Sequence, residues 1–382
     1  MLNIIGKFIK KETVLFITAI LALGSALLVR PDEEYFDYID YNVLAMLFCL
    51  MVVVAGFQKT GIFRWLGEKL TARAADTRSL SIVLVMLCFF SSMLITNDVA
   101  LLTFVPFAVL TLQMTGQKKR LIRIVVLQTI AANLGSMLTP MGNPQNLYLY
   151  TLAGWSVGTF IMQMLPLTLA SFFMLSASLL LIKPVPFKVS DTDFAYREKI
   201  VASHKDTAIT GNRLMLLYGL LFLCSMAAVV KLIPNLLLFV IVSVMLLLFD
   251  REIFCKVDYG LLATFVGFFV FIGNMQRIPA VQKVLQNVIT GREFLTAVLS
   301  SQIISNVPAT MLLSGFTKQY RALLWGTNVG GLGTLIASLA SLISYKAYCN
   351  ANYAEKGRYL REFTIWNLVF LVVLTILVFC LE

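Results

Sequence analysis

The sequence predicts an all-α, polytopic membrane protein made of two inverted repeats, each carrying a re-entrant hairpin and a broken transmembrane helix. Three observations predict it. Of 382 residues, 59% are hydrophobic and 13% charged, against roughly 25% charged in a soluble domain, an excess that no soluble core absorbs. Apolar runs long enough to cross about 30 Å of hydrocarbon recur along the whole chain. A polar motif in the first half also returns in the second.

Taken in order, Lys7, Lys10 and Lys11 precede an apolar run near 13–30. No small-residue cleavage site stands before the acidic stretch Asp32 to Asp37, so the run is expected as a retained helix rather than a leader. Further helices are expected near 42–58, 156–183, 213–230, 235–250, 259–274 and 362–381. Amphipathic stretches, Ile62 to Ala74 and Val281 to Ile289, follow two of them. The first sets Phe63, Trp65, Leu66 and Leu70 beside Arg64, Lys69 and Arg73, a pattern suited to the cytoplasmic interface.

Residues 79–95 and 98–114 are apolar arms joined at Thr96-Asn97-Asp98. Their outer ends are both basic, Arg73 and Arg78 before and Lys118, Lys119 and Arg120 after, which predicts a hairpin that enters and leaves on one side. Residues 294–304 and 307–317 make a second pair around Ser305-Asn306, while the spans 121–153 and 320–346 are interrupted by polar, Gly-rich or Pro-rich stretches. The chain thus divides into a first repeat over 1–183 (hairpin 79–115, broken helix 121–153), a cytoplasmic linker over 184–212 and a second repeat over 213–382 (hairpin 294–317, broken helix 320–346).

With neither hairpin crossing, the chain crosses nine times, from a cytoplasmic N-terminus to an outside C-terminus. Segments 1–12, 59–78, 115–123, 183–213, 251–257 and 346–361 then fall in the cytoplasm and hold 24 of the 31 Lys and Arg, as the positive-inside rule requires. That distribution accounts for the net charge of +11 and leaves no continuous basic domain for a nucleic acid. Cys49, Cys88, Cys224, Cys255, Cys349 and Cys380 show no CxxC or paired spacing and read as small apolar packing residues. His204 lies in the mixed-charge linker and is given no role.

The repeat is legible without gaps. Ser91-Ser92-Met93-Leu94-Ile95-Thr96-Asn97 aligns with Ser300-Ser301-Gln302-Ile303-Ile304-Ser305-Asn306, Ala132-Asn133-Leu134-Gly135-Ser136 with Thr327-Asn328-Val329-Gly330-Gly331, and Asp40-Tyr41 with Asp258-Tyr259. The charge-derived topology runs the helix at 42–58 inward and its partner at 259–274 outward, which makes the repeats inverted. The helix at 213–230 has no counterpart.

Irregular backbone at membrane depth is tolerated only inside protein or beside a wet cavity. Asn97 and Asn306 stand where each can cap the second arm of its hairpin, and Pro308 stands in a first turn, where a missing N–H costs nothing. The spans break at Gly135 to Asn146 and at Asn328 to Thr334. The candidate binding set is therefore Thr96, Asn97, Asp98, Asn133, Gly135, Thr139, Gly142, Asn143, Ser305, Asn306, Thr327, Asn328, Gly330 and Thr334. Half-helix N-termini there suit an anion, and loop carbonyls with Asn, Ser and Thr oxygens suit a small cation such as Na+ at Asn97 and Asn306. The alternative is that the small residues merely permit close helix packing. Asp98, the one acidic residue placed deep in the membrane, is the candidate for coupling; its alternative is a carboxylate stabilised at a helix N-terminus.

At Ile95-Thr96-Asn97-Asp98-Val99-Ala100, the Pro140 to Asn146 loop, Ser305-Asn306-Val307-Pro308 and Thr327-Asn328-Val329-Gly330-Gly331, the chain resembles the ion transporter superfamily of citrate transporters, divalent-anion/sodium symporters, arsenite permeases and some Na+/H+ antiporters. The resemblance implies a substrate site between hairpin tips, elevator-like movement and a homodimer. Symporters of that superfamily carry Ser-Asn-Thr at both tips. The first two positions fit at Thr96, Asn97, Ser305 and Asn306, and the third departs at Asp98 and Val307, closer to the citrate and arsenite branches.

The expected function is secondary transport of a small anionic solute, carboxylate-like or inorganic, across a bacterial-type inner membrane, coupled to H+ or Na+ and needing no resident cofactor. Cation/proton antiport or arsenite efflux is the second reading. An ion channel, which needs a continuous polar pore, is a third from another class, disfavoured by apolar hairpin arms. An enzyme is not expected, since no GxSxG, HExxH or His/Cys cluster is present. In a background lacking the six native cysteines, a cysteine at Thr115 or Gln117 should label only from the cytoplasm and one at Gln319 only from outside. Labelling of both sites from one side would sink the inversion.

Overall fold

The computed structural model describes residues 13–72, 74–186, 212–350 and 354–381. Lys7, Lys10, Lys11, Arg73, His204 and nearly all of the 184–212 linker lie outside the described residues. The described regular structure is helical, with one isolated bridge between Asp76 and Pro186. The helices, in order, are α1 (Thr13–Leu28), α2 (Glu34–Asp37), α3 (Tyr41–Thr60), α4 (Ile62–Thr71), α5 (Thr77–Ser91), α6 (Asn97–Met114), α7 (Leu121–Ser136), α8 (Pro144–Leu152), α9 (Val157–Leu180), α10 (Asn212–Val229), α11 (Asn235–Phe249), α12 (Tyr259–Gln276), α13 (Pro279–Ile289), α14 (Glu293–Ile304), α15 (Asn306–Ser314), α16 (Tyr320–Gly330), α17 (Leu339–Cys349) and α18 (Lys356–Leu381).

Five of these, α3, α6, α9, α12 and α18, are long and apolar enough to cross a membrane. The outer helices turn apolar side chains outward. On α18, Ile365, Val372, Ile376 and Phe379 are exposed while Phe363, Phe370, Leu374 and Val378 are buried. Water would penalise such a surface and lipid does not, so the chain is a multi-pass membrane protein.

Local chemistry fixes the element starts. Asp40 caps α3 by accepting from the Val43 N–H at 3.0 Å, and Asp258 caps α12 by accepting from the Leu261 N–H at 2.9 Å. Asp76 and Ser79 close a capping box at the head of α5, and the Ser79 and Arg78 N–H groups hold the Asp76 carboxyl below the usual range. Both amphipathic stretches are helices, α4 and α13, each placed between a long helix and a hairpin.

Three expectations change. Asn97 and Asn306 are the first helical residues rather than caps; Thr96 and Ser305 hold the cap positions and make no side-chain cap bond. The second break runs on to Ser338, because α17 begins only at Leu339. Of the cysteines, Cys49 and Cys88 are buried and Cys224 and Cys349 half-buried, whereas Cys255 and Cys380 are exposed and lie outside the core.

Ion pairs join the long helices at their ends. Lys59, in the last turn of α3, meets Asp250 at 2.7 Å and Glu252 at 3.3 Å. Arg277, just beyond α12, meets Asp32 at 2.7 Å and Glu34 at 3.5 Å. The register that pairs Asp40 with Asp258 also pairs Lys59 with Arg277, Asp32 with Asp250 and Glu34 with Glu252, so each basic residue holds the acidic pair belonging to the other half. Asp250 also accepts from the Tyr218 hydroxyl at 2.7 Å, and Gly56 leaves room for that ring, since a Cβ there would come within 2.0 Å of it.

Burial distinguishes the two clamps. Side-chain exposure is 30% and 4% for Lys59 and Asp250, against 34% and 40% for Arg277 and Asp32. A double-mutant cycle of Lys59→Met with Asp250→Asn, read by unfolding in mixed micelles, should give a coupling of about 1–3 kcal/mol. The cycle of Arg277→Met with Asp32→Asn should give less than about 1 kcal/mol, shrinking further with added salt. Equal couplings would show that burial does not set their strength.

Candidate functional site: the hairpin tips and the helix breaks

Each hairpin tip is tied to the break beside it by its own backbone. The Asn97 N–H donates to the Gly142 carbonyl at 3.0 Å, and the Asn306 N–H donates to the Ala337 carbonyl at 2.9 Å. The register that pairs Asn133 with Asn328 also pairs Gly142 with Ala337, so one bond occurs twice. A second pair follows the same rule. The Thr139 hydroxyl donates to the Met93 carbonyl, and the Thr334 hydroxyl donates to the Gln302 carbonyl at 3.1 Å.

Glycine makes this proximity available. A Cβ on Gly135 would come within 2.1 Å of the Phe89 carbonyl oxygen and 2.6 Å of the Ser92 hydroxyl. One on Gly330 would come within 2.9 Å of Ser301 and Val298, the residues that the repeat places opposite Ser92 and Phe89. One on Gly142 would meet the Ser136 carbonyl oxygen at 2.0 Å. At these three predicted positions the absence of a Cβ lets neighbouring chain come close.

The tips differ in strain. Thr96 has ordinary extended backbone, at φ −61° and ψ 151°. Ser305 has φ 73° and ψ 155°, a conformation costing of order 1–3 kcal/mol for a residue with a Cβ. Gln302, outside the predicted set, braces that tip. Its amide donates to the Gly330 and Leu332 carbonyls at 2.8 and 3.0 Å, and its oxygen accepts from the Thr334 N–H at 2.9 Å.

Side chains then join the two halves. The Asn97 amide donates to the Asn133 carboxamide oxygen at 3.0 Å, and that oxygen also accepts from the Ser338 hydroxyl at 3.0 Å. Conversely, the Asn143 amide donates to the Asn328 oxygen at 3.3 Å. Asn143 and Ser338 precede the second half-helices α8 and α17, so the residue that starts the second half-helix of each break reaches across to the asparagine of the other. Asn146 completes the centre, accepting from the Asn328 amide at 2.7 Å while its own amide faces the Ser136, Met137 and Thr139 carbonyls at 3.2–3.3 Å.

Thr96, Asn97, Asp98, Asn133, Thr139, Asn143, Ser305, Asn306, Asn328 and Thr334 thus fall on the hairpin tips and breaks as expected. The Thr327 hydroxyl turns back to the Leu323 carbonyl at 2.8 Å. Ser338, Ala337 and Asn146 belong to the cluster and were not in the predicted set. Two groups remain open: the Asn133 side-chain nitrogen and one Asp98 carboxylate oxygen are buried without a hydrogen-bond partner in the protein. With Asp98 its one acid, the cluster offers amides, hydroxyls and carbonyls converging on helix N-termini, groups chemically suited to a small ion, and has no nucleophile–base pair for catalysis.

A family model described as citrate transporter matches residues 1–325. The inner membrane protein YbiR of Escherichia coli is 33% identical over 311 residues, covering 81% of this chain and 80% of its own. The uncharacterized transporter MJ0456 of Methanocaldococcus jannaschii is 31% identical across 96% of this chain and 97% of its own. The silicon efflux transporter LSI3 of rice is 26% identical across 92% of this chain and 88% of its own.

Gly135→Ala should lower the melting temperature markedly, by an overpacking cost of about 1–3 kcal/mol, and Gly330→Ala should do so less, its neighbours being farther. Gly24→Ala, with nothing within 4 Å of its Cβ, should leave it unchanged or raised. Three equal melting curves would show that the hairpins do not pack as described.

Proposed function

The chain belongs to the citrate transporter family, and from that premise we propose that it moves a small anionic solute, a carboxylate or inorganic oxyanion, by secondary transport coupled to H+ or Na+. It is a membrane transporter and not an enzyme. The observation that carries the finer reading is the gathering of four helix N-termini, those of α6, α8, α15 and α17, in one hydrogen-bonded cluster. Their partial positive ends favour an anion with no basic side chain needed. Sodium, as a transported ion, would use the carbonyl and carboxamide oxygens near Asn97 and Asn306.

The crossed contacts favour two repeats, 1–183 and 213–382, related by a two-fold axis. When one half's residue at a position touches the other's residue at a second position, and the reverse contact is also made, the relation is a two-fold rotation and not a translation. Lying in the membrane plane, that axis inverts the repeats and supports an elevator-type exchange between inward and outward openings. The tip of α6 is tied inside the protein, which favours a re-entrant hairpin although α6 is long enough to cross. The positive-inside distribution favours a cytoplasmic N-terminus and an outside C-terminus, and the family resemblance a homodimer.

A second reading, proton-driven efflux or cation/proton antiport, draws on the unpartnered Asp98 oxygen and on the rice relative's name, silicon efflux transporter. A thermal-shift screen with citrate, C4 dicarboxylates, sulfate, arsenite, sodium and lithium separates the solute classes. Asn97→Ala and Asn306→Ala should each abolish uptake in proteoliposomes while folding stays near normal, since a lost neutral hydrogen bond costs only about 0.5–1.5 kcal/mol. Near-normal uptake in either would favour a packing role. Asp98→Asn should remove the pH dependence of transport and keep solute exchange if the proton couples, or raise the half-saturating sodium concentration if sodium does. Unchanged dependence on both would leave Asp98 a helix-terminal carboxylate only.

A further inference from the structure

Among the described residues, most buried serine and threonine hydroxyls fold back onto their own helix. Thr129, Thr168, Ser171, Ser225, Ser301 and Thr310, for example, each donate to the carbonyl four residues earlier at 2.7–2.9 Å, the usual solution for a hydroxyl in a membrane helix. Ser341 and Ser344, both 0% exposed, have no hydrogen-bond partner in the protein, and the hydroxyl of Tyr359, also 0% exposed, faces the Thr129 hydroxyl but makes no close hydrogen bond. A dry unpaired hydroxyl costs about 1–3 kcal/mol, so three in one neighbourhood call for a shared explanation.

Their placement supplies it. Ser338, Ser341, Ser344 and Tyr348 recur along α17 at the three- to four-residue spacing of one helical face. The upper end of that face is the Ser338 hydroxyl, which donates to Asn133 at the crossover. The lower end is Tyr348, whose oxygen accepts from the Glu355 N–H at 2.8 Å and whose ring stacks on Tyr359 at 4.7 Å. Ten residues of helix cover about 15 Å, half the hydrocarbon thickness. One turn beyond Tyr359 on α18 stands Glu362, between Arg123 at 3.8 Å and Arg358 at 3.9 Å. These separations are too long for direct hydrogen bonds and suit bridging water. The titratable groups facing this end are Glu355, Arg358 and Glu362 from α18 and its lead-in, Arg123 from α7, and Lys346 and Cys349 from α17.

We propose that Ser338, Ser341, Ser344 and Tyr359 line a hydrated path, separate from the route of the solute, by which water and protons pass between the crossover at Asn133 and the solution on the face bearing Lys346, Arg358 and Arg123. Each hydroxyl takes a proton from one neighbouring water as it releases one to the next, so no net charge is left on the chain. The proton role rests on the transporter reading; the hydration does not.

Radiolytic hydroxyl labelling of the unsubstituted protein in nanodiscs tests hydration directly, because a buried ring is modified rapidly only when water lies against it. Tyr359 should be modified at least about tenfold faster than Tyr150, equally buried but bonded to the Val229 carbonyl. Equal rates overturn the path. In proteoliposomes carrying an internal pH dye, Tyr359→Phe and Ser344→Val should each slow solute-driven proton movement by about tenfold, with solute counterflow unchanged. Labelling without slowed proton movement, or an equal loss of counterflow, overturns the proton role. Absence of solute movement in the unsubstituted protein would defeat the transporter reading and leave the labelling result standing.

Discussion

The structure depends on one constraint: a chain interrupted at membrane depth has to satisfy its own peptide groups without water. Each unpaired amide there would cost several kcal/mol, more than a typical hydrogen bond returns. Two hairpin tips and two breaks can coexist only because they answer one another. The first N–H of α6 and of α15 finds a carbonyl in the neighbouring break, and the small residues at Gly135 and Gly330 let the backbones come close enough for it. A hairpin and its broken helix are in this sense one element that happens to be discontinuous.

The second level of organisation joins these elements through side chains. Asn133 to Ser338 and Asn143 to Asn328 hold the centre, while the ion pairs of Lys59 and Arg277 hold the ends of the long helices. The central bonds are neutral and individually worth about 1 kcal/mol, weak enough that an ion bound as proposed would compete with them for the same oxygens and amides. On that reading the cohesion of the cluster and its affinity for a solute would draw on the same groups.

Much of this was legible in the sequence, and for identifiable reasons. Hydropathy placed the long helices to within a few residues, the Asp-Tyr pairs located the starts of α3 and α12, and the recurring Asn motifs located both tips and both breaks. The end of the second break was hidden because Leu335, Ile336 and Ala337 are apolar and irregular backbone leaves no mark in hydropathy. Carrying the Asn133/Asn328 register a few residues further would have set Ser338 opposite Asn143 and exposed it. Gln302 escaped because its counterpart is Met93, so symmetry gave no hint; a lone Gln in an apolar arm was the available signal. The carboxamides were misassigned as caps since Asn suits both a cap and a first-turn position, and only backbone geometry separates them. The unpartnered state of Ser341 and Ser344 has no sequence signature, because a serine in a membrane helix ordinarily bonds to its own backbone.

For the exchange of openings proposed above, the unequal tips would decide which opening is the resting one. Two conformations exchanged by repeat symmetry would be degenerate if the halves were identical, and the populations would then be even. Ser305 breaks that degeneracy, since its φ of 73° has no match at Thr96. Strain of about 1–3 kcal/mol borne in one conformation and released in the other corresponds to a population ratio of roughly 5 to 150. On that proposal, a single backbone angle would be enough to give two nearly symmetric halves unequal populations and hence a preferred side from which to load.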